Sequence, residues 1–132
     1  MTHISLKKYK QTTVSAAKEA SPYRLVAMLF QELLGNIASA KGAIEQKDIA
    51  KKGTLISKAI TIISVLESSI DFKQGGEISN NLAALYNYCS EKLLEANVNN
   101  DAKLLDEVIS ILLPIKSGWD AIPTTEQGNV SF

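Results

Sequence analysis

The sequence predicts an all-α fold, an antiparallel up-down four-helix bundle, from three observations. Four stretches carry apolar residues at spacings of three and four, which place those residues on one face of a helix. Short turn-forming segments separate the stretches, and nothing in the sequence alternates as a strand would. Because short connections make successive helices antiparallel neighbours, an up-down bundle is the expected architecture.

The first helix is predicted to begin after Ser21. The Ser21 hydroxyl can accept a hydrogen bond from a free backbone N–H, and Pro22 suits the first helical position, where no N–H is needed. The apolar stripe of this helix consists of Val26, Leu29, Leu33, Ile37, Ala40 and Ile44. Further apolar residues widen the stripe on its flanks, so we expect this helix to be the central one: Leu25, Met28, Phe30 and Leu34.

The second helix is predicted to begin after Asp48, and it carries more apolar surface than one stripe. Its predicted core positions are Ile49, Ile56, Ala59, Ile63, Leu66 and Ile70. Leu55, Ile62 and Val65 extend this stripe sideways. One stripe suffices to bury a bundle helix, so the extra residues need another contact. They are either buried between two neighbouring helices or exposed in a groove for an amphipathic or extended partner.

Gly75-Gly76 precedes the third helix. These glycines fit neither the Walker phosphate loop nor the dinucleotide fingerprint, so we expect a turn with one glycine in a left-handed conformation. The third apolar stripe consists of Ile78, Leu82, Leu85, Cys89, Leu93 and Ala96. Tyr86 and Tyr88 point in different directions on a helix, which predicts one in the core and the other at a surface.

Turn chemistry at Asn97 to Asn100 separates the third helix from the fourth. The fourth stripe consists of Leu104, Val108, Ile111, Leu112, Ile115 and Trp119. Pro114 removes a backbone hydrogen bond, so we expect a kink between Ile111 and Pro114. Trp119 aligns with this stripe and is expected to close the bundle. The predicted organisation is an N-terminal segment packing on the bundle (1–20), the bundle (21–122) and a polar tail (123–132).

Composition argues against several functions. The formal net charge is zero, so electrostatics give no reason to expect a nucleic acid or an anionic membrane as partner. His3 is the only histidine and Cys89 the only cysteine, which leaves no basis for an intramolecular disulfide, a zinc site or histidine catalysis. We therefore predict no enzyme, cofactor or metal. Without a secretory signal or an apolar run of ~20 residues, the expected location is the cytoplasm, with no membrane insertion.

The sequence resembles the FliS family, the flagellar secretion chaperones of flagellin. The matching features run in the family's order over almost the whole chain: Tyr9, ASPYRLVAMLF (20–30), KDIAKK (47–52), KAITII (58–63), DFKQGGEISNNLAALYNY (71–88), EANVNNDAKLLDEVISIL (95–112) and Trp119. The sequence departs from the family pattern at two places. Arg24 stands where the family commonly has an acidic residue, and Pro114 interrupts a helix that is usually continuous in the family.

The resemblance implies a helical bundle that binds the C-terminal segment of new flagellin in the cytoplasm. It also implies that the chaperone blocks premature polymerisation and delivers flagellin to the flagellar type III export gate. We expect the partner surface at Leu55, Ile62, Val65, Tyr88 and Leu94. An N-terminal cover is expected at Ile4, Leu6 and Tyr9, with simple disorder of the tail as the alternative. The competing function is a non-catalytic helical adaptor that forms a homodimer through the same apolar surface.

Overall fold

The computed structural model describes residues 21–70, 72–123 and 125. These residues form four helices: α1 (Pro22–Glu45), α2 (Ile49–Ser68), α3 (Phe72–Asn99) and α4 (Ala102–Asp120). Each helix packs on the next one along the chain, and α4 returns to pack on α1. The predicted all-α four-helix bundle is therefore confirmed, and no residue in the described part of the chain lies in a strand.

Side-chain caps start three of the helices. Ser21 Oγ accepts a hydrogen bond from the Arg24 N–H at 3.2 Å, and Asp48 Oδ1 accepts one from the Lys51 N–H at 3.1 Å. Both caps were predicted. Asp101, which was not, caps α4. Each such cap stabilises a helix by about 0.5–2 kcal/mol, so the starts of these helices are encoded locally.

Gly76 interrupts α3. Its backbone has φ 54° and ψ −124°, a conformation open to glycine and costly for a residue with a Cβ. The prediction of a positive-φ glycine at the turn is confirmed. The helix also includes a turn that begins at Phe72, ahead of the glycine, which the sequence did not predict.

The core is continuous along the bundle and contains members of all four predicted stripes. Its largest fully enclosed side chains are Phe30, Leu25, Leu29, Leu33, Ile37, Ile56, Ile63, Leu66, Leu93, Leu105, Leu112 and Val65. Cys89 lies among them, and burial raises the pKa of its thiol to about 11. The thiol is therefore a small apolar group of the core, as predicted.

Three positions predicted for the core are exposed instead, namely Ile49, Ile78 and Leu85. Ile49 is the first residue of α2, and Ile78 follows closely on the break at Gly76. Helical spacing identifies which face a residue is on, but not whether a neighbouring helix reaches that far along the axis. For Ile49 and Ile78, near helix ends, the prediction of burial is therefore wrong although the face is right. Leu85 lies in the middle of α3, so this reason does not apply to it.

An aromatic contact joins the beginning of α1 to the end of α4. The rings of Tyr23 and Trp119 stack with centroids 5.5 Å apart, and Trp119 Nε1 donates to the Tyr23 carbonyl oxygen at 3.0 Å. Trp119 thus closes the bundle, as predicted. Pro114 is exposed, and α4 continues as a helix on both sides of it.

Candidate functional site

The extra apolar residues of α2 do not form an exposed surface. Ile62 is 2% exposed and Val65 is 0% exposed, and Leu55 packs, partly buried, against the same core cluster. The sequence allowed two alternatives for these residues, burial between helices or exposure in a groove, and the structure shows burial. The prediction of an exposed groove at Ile62 and Val65 is therefore wrong for this conformation. Any contribution of the three residues to partner binding stays a prediction.

A groove nevertheless runs along α2, beside these residues. It has a volume of about 680 Å³ and is open to solvent. We call it the α2 groove; among the described residues it is lined by Glu32, Ile49, Ala50, Gly53, Thr54, Ser57, Lys58, Thr61 and Ile62. Apart from Glu32 on α1, all of these residues belong to α2. The sequence prediction placed only Ile62 here.

The α2 groove has an exposed apolar residue at one end and mostly small residues along its length. Ile49, 56% exposed, lies at one end, and Ile62 contributes a wall at the other. A Cβ built on Gly53 would meet no atom within 4 Å, so the backbone of α2 is accessible there. Lys58 and Glu32 add one charge of each sign. A mixture of apolar surface with charged and polar groups is typical of surfaces that bind a peptide or helix.

The Lys52 side chain ties α2 to the end of α3. Lys52 is 4% exposed, and its Nζ donates to the Asn97 carbonyl oxygen at 2.8 Å and to Asn100 Oδ1. This contact joins two of the sequence motifs that carry the family resemblance. It also places Leu94, 55% exposed and one turn before Asn97, near the end of the bundle where the α2 groove begins at Ile49.

Tyr88 lies on a different seam of the bundle. Its hydroxyl donates to Glu107 Oε1 on α4 at 2.5 Å, and this hydrogen bond raises the pKa of the Tyr88 hydroxyl. Lys92 Nζ lies 5.4 Å from the centroid of the Tyr88 ring. Tyr86 is buried while Tyr88 is exposed, so the predicted division between the two tyrosines is confirmed. The five predicted partner-binding residues therefore do not form one continuous surface.

The described residues include no cluster of His, Cys, Asp and Glu that could hold a metal ion. None of the four described helices is long and apolar enough to cross a membrane. The predicted cover residues, Ile4, Leu6 and Tyr9, lie outside the described residues.

Three features of this region have little signal in the sequence. Helical spacing predicts Ile49 in the core because spacing ignores where a helix starts. Gly53 was not singled out, although a glycine inside a helix costs about 1 kcal/mol relative to alanine and so points to some other use. Lys52 belongs to the KDIAKK motif, but its hydrogen-bond partner Asn97 is 45 residues away in sequence.

The all-α bundle and the open groove along α2 indicate the class of this protein: helical proteins with a surface for a segment of another chain. Comparison with known proteins identifies the family. The model of the family described as "Flagellar protein FliS" matches residues 5–126. The chain therefore belongs to the FliS family, as the resemblance in the sequence indicated.

Named relatives are similar over nearly their whole length. The chain is 46% identical over 119 residues to the flagellar secretion chaperone FliSB of Pseudomonas aeruginosa, covering 89% of this chain and 94% of that one. It is 41% identical over 123 residues to the flagellar secretion chaperone FliS of Salmonella typhimurium, covering 92% and 91%. It is 39% identical over 120 residues to the FliS chaperone of Vibrio cholerae, covering 90% and 88%.

Proposed function

We propose that this protein is a cytoplasmic export chaperone that binds the C-terminal segment of flagellin, prevents its premature polymerisation and delivers it to the flagellar type III export apparatus. The relatives' names support the role of secretion chaperone. The structural observation that carries the proposal is the α2 groove, an open and largely apolar surface on a closed bundle.

The dimensions of the groove suit a helical part of the client. A helix rises about 1.5 Å per residue, so the distance along α2 from Ile49 to Ile62 is about 20 Å. This length accommodates about four turns of a client helix, with an apolar anchor at Ile49 and close backbone approach at Gly53. A disordered client that folds on the groove pays an ordering cost of about 2–5 kcal/mol, which keeps the complex releasable.

The remaining predicted residues extend this proposal. Leu94 offers a second apolar contact near the Ile49 end of the groove, and Tyr88 offers one on the seam between α3 and α4. A client that wraps around the bundle would reach both. Ile4, Leu6 and Tyr9 are proposed to cover the client surface when flagellin is absent. Delivery to the export gate is proposed from the family alone.

Filling the groove tests the proposal. Ile62→Asp is unsuitable because it would place a carboxylate in the core, whereas Gly53→Leu adds a side chain where there is open space. We expect Gly53→Leu to weaken binding of a flagellin C-terminal peptide by at least tenfold in calorimetry, roughly 1.4 kcal/mol. The physical reason is that the new side chain occupies the volume the client needs.

The matched control is Gly35→Leu on α1. Gly35 is exposed, lies outside the α2 groove, and also has open space at its Cβ position. Both substitutions favour helix, so circular dichroism should show both variants folded. Gly35→Leu should bind the peptide as the unchanged chain does. Equal binding by both variants would refute the groove, and no binding by the unchanged chain would refute the proposed function.

A further inference from the structure

Asn36, in the middle of α1, has a buried hydrogen-bond donor with no acceptor among the described residues. Its side-chain Nδ2 is enclosed, and none of the described residues accepts a hydrogen bond from it. The residue as a whole is only partly buried. Nearly all buried polar side-chain atoms in proteins are paired, and an unpaired one destabilises the state that contains it. The described part of the free protein therefore carries a free-energy cost at Asn36.

The position of Asn36 connects it with the α2 groove. Glu32 lines the groove, and Asn36 follows it by one helical turn on the same side of α1. Leu33 and Ile37 are fully buried on the adjoining face. Asn36 thus lies at the border between the core and the groove, where a rotation of its short side chain would carry the amide toward the groove.

We propose that Asn36 is a specificity-determining donor for the bound client: its amide turns into the α2 groove and donates a hydrogen bond to a carbonyl oxygen of the client segment. This inference rests on the proposed function. The cost of the unpaired donor is present only in the free protein, because the client supplies the missing acceptor. Client binding therefore recovers that cost, and the affinity for a segment with a carbonyl at this point is increased.

Removing the Asn36 amide should have opposite effects on the stability of the free chain and on its affinity for the client, and the test measures both. Asn36→Leu and Asn36→Ala remove the buried donor, so at least one of them should raise the melting temperature of the free chain. Both should weaken binding of the flagellin C-terminal peptide by about tenfold in calorimetry, because the hydrogen bond to the client is lost. Two variants are used because leucine is larger than asparagine, whereas alanine fits the same site without overpacking.

The control is Gln31→Leu, an exposed position of α1 outside the α2 groove, which should leave the affinity unchanged. Affinity that is unchanged in both Asn36 variants would overturn the inference and leave the proposed function standing. A lower melting temperature in both variants would also overturn it, since Asn36 would then be stabilising the free chain. If the unchanged chain fails to bind the peptide, the proposed function itself fails, and this inference with it.

Discussion

Lys52 shows how a single residue holds two helices in register. Buried lysines are rare unless their charge is paired, and here the partners are a carbonyl oxygen at the C-terminal end of α3 and the side chain of Asn100. The last carbonyls of a helix lack backbone donors and carry the negative end of its dipole. The ammonium group thus caps α3 from a neighbouring helix and fixes the separation of α2 and α3 at that end.

Replacing Lys52 should therefore destabilise the bundle. Lys52→Met keeps much of the apolar stem but loses the hydrogen bonds to Asn97 and Asn100, so we expect the free energy of unfolding to fall by about 1–3 kcal/mol. Urea unfolding followed by circular dichroism measures the change. Lys51→Met is the control, because the Lys51 side chain is exposed and its loss should change the stability by less than about 0.5 kcal/mol. Equal stability of the two variants would contradict this role.

At the scale of helices, local chemistry in the sequence predicted much of the fold. The stripes of α1 and α4, the caps at Ser21 and Asp48 and the glycine turn all depend on neighbours within a few residues, which a sequence displays directly. The cap contact of Lys52 and the burial of Ile62 and Val65 depend on which other helix lies alongside. These contacts depend on how the helices pack together. Helical spacing alone therefore predicts the groove at Ile62 and Val65, which are buried.

The contact between α1 and α4 allows a second stability prediction. Trp119→Phe keeps an aromatic ring against Tyr23 but loses the partly buried hydrogen bond from Nε1 to the Tyr23 carbonyl. We expect the free energy of unfolding to fall by about 0.5–1.5 kcal/mol in thermal or urea unfolding. Tyr23→Phe loses only an exposed hydrogen bond to the Asp120 carbonyl, so its effect should be smaller. A larger loss in Tyr23→Phe than in Trp119→Phe would contradict this account of the closure.

At the scale of the molecule, the groove and the closure occupy different parts of the bundle. The α1–α4 contact joins the start and the end of the bundle, whereas the α2 groove lies along one helix and borders α1 at Glu32. A client could therefore occupy the groove without disturbing the closure. The family and its fold could be predicted from the order of motifs. The groove could not, because its walls are defined by what the neighbouring helices leave uncovered.

The central claim is that flagellin occupies the α2 groove, and amide chemical-shift mapping tests it most directly. The isotope-labelled chain would be titrated with a flagellin C-terminal peptide while the backbone amide signals are recorded. We predict that the largest changes fall on α2 between Ile49 and Ile62 and on α1 around Glu32 and Asn36. Changes confined to the seam between α3 and α4, around Tyr88 and Glu107, with α2 unaffected, would contradict the claim.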